Sequence, residues 1–433
     1  MRKFWLIKDT IINQISYYHI LLFFVCLPLD RFFSELIFIS LTIHTLINLK
    51  KEDLKRIYDK RVLIVQAVFF VTLFSTIYTT NFKQALDDWG TQAHMLLVPM
   101  LFALHQPLIN KYKKQLLSGY AWSCVLVVTV LFGIVLATIR HFHLPLSFIY
   151  TASFINHNFS KPVGIHATFF SILLVAAVVI LFQDTLCEKK QSAKVILLTG
   201  IGILLLGLIQ LSSKSAIISL LIVAYVFVPL YLFKGKKRLM LLIASLLITL
   251  LGTALVFRYD GLKTRLFSDL ESDVDLNRFT LVTDSRLDRW KATMHTVKAK
   301  PIFGFGTGTE KEVMEQTYFY NKLYHSFIHQ LNAHNEFLSL LIKSGLVGLA
   351  VYLFALGYSL IISIRNKDLL LATCVVLIIS TSVAENTLDA NKGIFFYSAF
   401  FALLLLTVKS ASKSTLNIKK QALEATLPQV STC

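Results

Sequence analysis

The sequence predicts an all-α polytopic membrane protein. Of its 433 residues, 55% are hydrophobic, and the mean hydropathy is +0.64. Charged residues make up only 16%, well below the quarter or so usual in soluble domains. Apolar stretches of roughly 18 residues, the length that crosses a bilayer as a helix, recur along the whole chain.

About twelve spans are expected, near residues 11–29, 32–49, 62–80, 92–106, 118–139, 167–183, 195–211, 215–233, 239–257, 345–364, 369–386 and 394–408. This divides the chain into spans one to nine (1–257), a long polar segment (258–344), spans ten to twelve (345–408) and a tail (409–433). The "MRKFWLIKDTI" start reads as a basic flank before a retained first span. The net charge is +18. A basic excess can signal nucleic acid, but the Lys and Arg gather in alternate short loops: "KKEDLKRIYDKR", "NKYKK", "EKKQSAK", "KGKKR" and "RNKD". That is the positive-inside pattern, so both termini are expected in the cytoplasm and no nucleic-acid partner is expected. The five cysteines show neither a disulfide spacing nor a metal-ligand pattern.

Two segments break the hairpin rhythm, near 140–166 and 258–344, both on the expected outer side. Connections this long in a compact membrane domain are usually functional. The second has helical periodicity around Leu287–Val297, then a Pro/Gly-rich turn at Pro301–Gly308. Its end, "NAHNEFLSLLIKSGLVGLAVYLF", runs into the tenth span. Residues from Gly345 onward suffice for the crossing, so 334–344 reads as a short amphipathic helix at the outer interface. Leu338, Leu341 and Ile342 would face lipid or protein, with Glu336, Ser339 and Lys343 on one polar face. His334 would open this helix, where outward-pointing donors welcome anions. Gly345 and Gly348 permit a bend or close packing. An interfacial histidine is ordinarily a structural hydrogen bonder. Beside an Arg- and Lys-rich segment it becomes a candidate for proton exchange on a phosphate-bearing substrate.

Two blocks carry a family resemblance. "HNEFLSLLIKSGLVG" resembles the signature of the bacterial O-antigen ligase and polymerase superfamily at His334, Asn335, Gly345 and Gly348. "SRLDRWKATMHTVKAKPIFGFGTG" is similar to the family's Arg-x-x-x-Trp and Pro-x-x-Gly-x-Gly block at Arg286, Trp290, Pro301, Gly304 and Gly306. "LIQLSSKSAIISLL" resembles its Ser-Arg-Gly segment, with Lys214 where Arg is usual, and "KPVGIHATFFSILL" its Pro-containing lead-in to the sixth span.

The resemblance implies a GT-C-like inner-membrane glycosyltransferase with its active site on the periplasmic side. The donor would be a glycan on undecaprenyl diphosphate and the acceptor a sugar hydroxyl of the lipid A core or of another glycan, with no nucleotide sugar, metal or cofactor. In those terms His334 would be the general base of an inverting transfer, and Arg286 the companion catalytic residue. Lys214, Arg289, Lys161 and Arg258 would bind the diphosphate, whose departure needs fixed positive charge. The plainer alternatives are solvated helix charges for Arg286 and Arg289 and a snorkelling cation for Lys214. The acidic "ESDVD" at 271–275 reads as a solvated loop rather than a metal site, and "GFGTG" as a turn rather than a phosphate loop, since no Gly-Lys-Ser/Thr follows. Glu385 and Asp389 would either bind sugar or cap helices. Ligase is the first reading, repeat-unit polymerase the second. A lipid-linked-glycan transporter is the third, disfavoured because the charges sit at span ends rather than at the midplane.

Overall fold

The computed structural model describes residues 6–268 and 284–408. The "ESDVD" stretch and the 409–433 tail lie outside these residues. Among the described residues the secondary structure is entirely helical. Six helices among the described residues are long and apolar enough to cross a membrane, which makes this a multi-pass membrane protein by helix composition.

In chain order the first are α1 (Ile11–Cys26), α2 (Arg31–Ile47), α3 (Lys60–Ser75), α4 (Phe82–Leu104), α5 (Gln106–His141) and α6 (Ala167–Cys187). Then come α7 (Gln191–Leu211), α8 (Lys214–Leu232) and α9 (Gly235–Arg258). The polar segment holds α10 (Arg286–Val297) and α11 (Glu310–Tyr320), and α12 (Glu336–Asn366), α13 (Leu369–Ala384) and α14 (Asn391–Leu406) follow. Helices thus cover each predicted span, but some boundaries differ. "NKYKK" is not a loop: it forms the first turns of the 36-residue α5. Pro107 sits where a helix tolerates it, near the start, and no further proline follows in the helix, so helix-forming Lys and Gln carry on into the apolar run. Likewise α4 begins ten residues ahead of the predicted span, capped by the Asn81 side chain on Gln84 N–H.

The core lies where α14 and α13 pack against α4 and α6, and α14 is buried along nearly its whole length. The many phenylalanines meet there. The ring of Phe23 sits edge-on to Phe395, and that of Phe24 edge-on to Phe400, each pair at 5.5 Å between centroids. Where helices approach closely, a glycine allows it: a Cβ on Gly207 would collide with Val128. α8 carries a π-turn at Val223–Phe227, just before Pro229, whose missing N–H the helix must accommodate. α9 is peripheral, with Val256 its one buried residue.

α12 bends sharply at Gly345, which has φ 63° and ψ −157°, a conformation open essentially to glycine alone. The break frees backbone groups, and the Pro301–Gly306 turn satisfies them. Phe305 N–H donates to Ile342 C=O (2.7 Å) and Gly306 N–H to Lys343 C=O (2.9 Å). On the other side of the bend, Leu346 N–H donates to Pro301 C=O (2.8 Å) and Val347 N–H to Ile302 C=O (3.2 Å). A Cβ on Gly345 would overlap the Ile302 carbonyl, and one on Gly304 the Ile342 carbonyl. The turn is also held against α3, where the Thr307 hydroxyl donates to Thr72 C=O (2.9 Å). The two glycine motifs, some forty residues apart in sequence, therefore form one backbone joint.

Candidate active site

The first leg of α12, residues 336–344, is the platform of the site. Its apolar face, Leu338, Leu341 and Ile342, is buried against protein, with Val297, Met314, Tyr318 and Trp290 of the polar segment. Its polar face is buried too, contrary to the interfacial, solvated helix that the sequence suggests. The Lys343 ammonium lies 2.8 Å from Asp389 and 3.6 Å from Glu310. The Ser339 hydroxyl donates to the Glu310 carboxylate. Asn386 Nδ2 donates to Glu310 (2.9 Å) and Asp389 (3.1 Å). Glu336 accepts Leu388 N–H at 2.7 Å. Burial alone would push Lys343 towards its neutral form, but Asp389, Glu310, Glu336 and Asp88 outweigh it and hold its pKa above the ordinary lysine value. Burial raises Glu336, with the nearby Asp389 adding to the effect. This network ties the turn between α13 and α14 to the platform.

His334 stands immediately before the platform. It does not open the helix: Asn335 is the N-cap, its side chain accepting Leu338 N–H at 3.2 Å. The first turn carries its own carboxylate, Glu336, and Asn386 takes the Asn335 N–H (3.0 Å). The helix start is therefore already filled by the protein's own groups, not left for a ligand. His334 itself is left-handed, with φ 46°, and Asn332 Oδ1 accepts its N–H at 3.0 Å. Its Nδ1 lies 3.2 Å from Glu385 Oε2. Burial pushes the Glu385 carboxyl up, but the His334 hydrogen bond and the charges of His166, His334 and Arg286 bring it below the ordinary glutamate value. Glu385 is thus an anionic acceptor. The contact holds a proton on His334 Nδ1 and turns Nε2 away from Glu385, about a third of the side chain being exposed.

α10 brackets this pair. Ser285 caps it by accepting Asp288 N–H (3.1 Å) and donating to the Asp288 carboxylate (2.8 Å). Arg286 and Trp290 are four residues apart and so share a face. Trp290 Nε1 donates to Ala333 C=O (3.1 Å), just before His334, and Arg286 Nη1 to Ala384 C=O (3.1 Å), just before Glu385. The Arg-x-x-x-Trp spacing thus spans both halves of the pair. Arg289 faces another way: it is buried within the polar segment, where its charge acts on the Tyr318 phenol.

The remaining candidates are dispersed. Lys214 opens α8, whose first turn packs on the last turns of α13, with the Ser380 hydroxyl donating to Ser215 C=O at 3.3 Å. This places it by the helix end that Arg286 contacts. Lys161, in a short turn before α6, and Arg258, at the end of α9, are exposed. Gly348 packs α12 on α3, where a Cβ would lie 3.3 Å from Val71.

A cavity of about 430 Å³ adjoins Glu385. Its wall includes Asp30, Arg31, His166, Asn332 and Lys392. Arg31 and Lys392 are its basic residues among the described ones, and neither stands out in the sequence: each is a lone charge at a span boundary. Arg265 was equally inconspicuous, yet it lies close enough for its charge to act on His157 and His166, whose rings are 4.1 Å apart.

Residues 199–353 match the family model described as O-antigen ligase. The matched stretch holds His334, Arg286, Lys214 and both halves of the glycine joint, while Glu385, Arg31 and Lys392 lie outside it. No curated protein matches the chain.

Proposed function

We propose, for a chain whose residues 199–353 match the O-antigen ligase family model, that it transfers a glycan from undecaprenyl diphosphate to a hydroxyl of the lipid A core on the periplasmic side of the inner membrane. The observation that carries this reading is the His334–Glu385 pair, bracketed by Arg286 and Trp290, with Glu385 lining a cavity. A base oriented by a carboxylate, beside fixed cations, is what acyl-free group transfer from a phosphate ester requires.

In this reading the acceptor hydroxyl attacks the anomeric carbon and its proton passes to His334 Nε2. The bond from that carbon to the diphosphate oxygen breaks, and the electron pair leaves with undecaprenyl diphosphate. Attack opposite the leaving group inverts the centre. Arg286, and Lys214 from the neighbouring helix start, stabilise the departing charge. Lys161 and Arg258 are outer attractors of the diphosphate, and Arg289 supports the α10 scaffold. No metal or nucleotide sugar enters the step. The fold is read as GT-C-like, with twelve spans and cytoplasmic termini, which places the site at the outer face as the charge pattern requires.

The same domain serves polymerases, so the acceptor decides. Deleting the gene and resolving the extracted lipopolysaccharide on a gel, with polyprenyl-linked glycan measured alongside, tests it. A core-only band with full-length glycan stranded on the carrier is expected. Core capped by a single repeat unit would instead make it a polymerase, and an unchanged ladder with no stranded glycan would overturn both.

A further inference from the structure

The cavity beside Glu385 is built from four separate segments. Asp30 and Arg31 come from the α1–α2 turn, Gly164–His166 from the lead-in to α6, Asn332 from the stretch before His334, and Glu385 to Lys392 from the α13–α14 turn. Its walls are fixed. The Asp30 side chain caps α2 by accepting Phe32 N–H (2.9 Å). Gly164, at φ 65°, packs so closely on the Asp30 carboxylate that a Cβ there would overlap it. Lys392 is buried, and its ammonium donates to Leu27 C=O at 3.0 Å.

Two cations in this wall have no carboxylate within ion-pair distance among the described residues: Lys392, and Arg31, which is exposed. Most other charges near the site are committed, Lys343 to Asp389 and Glu310, and Glu385 to His334. Burial lowers the Lys392 pKa to about 8, against the pull of Asp30, Cys26 and Glu35. Lys392 is therefore still mostly charged near neutral pH, and an anion arriving in the cavity would favour that charged form further. Around the cations stand the amides of Asn332, Asn386 and Asn391 and the carboxylate of Asp30, groups that hydrogen-bond sugar hydroxyls, while the other two lining carboxylates, Glu385 and Asp389, are engaged by His334 and Lys343.

The position relative to the reacting pair identifies the ligand. Arg286 approaches Glu385 from the α10 and α13 side, and the start of α8, which carries Lys214, packs on the last turns of α13 there. Arg31 and Lys392 stand on the α1, α2 and α14 side. A general base works between its two substrates. With one cationic group allotted to the donor diphosphate, the other falls to the acceptor.

We propose that this cavity is the acceptor subsite, in which Arg31 and Lys392 bind a phosphate substituent on the acceptor sugar. The assignment of sides rests on the transfer reading above. The test uses full-length protein in nanodiscs, titrated with phosphorylated core oligosaccharide and with the same oligosaccharide after dephosphorylation, for the native chain, Arg31→Ala and Arg31→Lys. Arg31 is exposed, so its replacement leaves the fold intact, as an unchanged Tm would verify. Binding of the phosphorylated oligosaccharide is expected to weaken about tenfold in Arg31→Ala and to recover largely in Arg31→Lys. The dephosphorylated one should bind weakly and equally to all three, and the KM for the lipid-linked donor should not move. Equal binding of both oligosaccharides by the native chain would overturn the proposal. So would a rise in donor KM with acceptor binding unchanged, which would make the cavity a donor site. If the native protein transfers nothing while phosphate-dependent binding still needs Arg31, the transfer reading falls and the anionic-glycan site stands.

Discussion

The Gly345 joint and the His334 pair lie at opposite ends of one nine-residue helical leg, roughly 14 Å apart, yet they are built in opposite ways. Across the bend itself the hydrogen bonds are backbone to backbone, donors and acceptors are matched, and no space remains for a side chain on Gly345 or Gly304. At the pair the specific contacts are made by side chains, and the far side opens on a cavity. The contrast separates two kinds of motif residue. The glycines hold the platform at a fixed angle. In the proposed transfer the histidine and arginine do the chemistry on it. Damage at the first end should therefore appear as lost folding, and damage at the second as lost rate in a folded protein.

The largest effect is expected at the joint. Gly345→Ala puts a side chain into the Ile302 carbonyl and adds about 1–3 kcal/mol of backbone strain. Expulsion of the Pro301–Gly306 turn would follow, and thermal unfolding and yield from the membrane should both collapse. A stable, active Gly345→Ala protein would erase the distinction drawn here. Lys343→Met comes next. It leaves Asp389 and Glu310 facing each other without their cation and should cost about 3–5 kcal/mol. Because the network anchors the turn that carries Glu385, activity should fall more than Tm alone explains.

Glu385→Gln sharpens the other end. Glutamine can still accept the Nδ1 proton but carries no charge. Transfer should drop about 10²-fold or more, with a modest fall in Tm near neutral pH, the pair being partly exposed. The sign of the pH effect follows from the depressed Glu385 pKa. Its contribution to stability is fully present above the ordinary carboxylate value and is lost as pH falls through the lower folded value. The Tm difference between native and Glu385→Gln proteins should accordingly shrink on acidification. A difference that grows would show that the carboxyl is neutral in the fold.

Much of the joint is legible in sequence, because glycines at fixed offsets from a proline and from an apolar run have few other uses. The i, i+3, i+7 set Glu336, Ser339 and Lys343 is legible as a face, but its burial is not: that depends on Glu310 and Asp389, which reach it from distant segments. Periodicity also finds α10, and the four-residue spacing of Arg286 and Trp290 places both on one side. What each touches, the carbonyls of Ala384 and Ala333, is a tertiary fact. Arg31 and Lys392 stay hidden for a different reason. A lone cation at a span boundary is what every membrane protein shows, and only the packing of the α1–α2 and α13–α14 turns reveals a shared cavity.

The most direct measurement is the single-turnover rate of glycan transfer from undecaprenyl diphosphate to core oligosaccharide, by purified native and His334→Ala proteins of matched Tm. With His334 as the base that takes the acceptor proton, the variant should lose about 10²–10⁴-fold in rate while binding both substrates as before. Transfer by His334→Ala at the native rate would contradict the account.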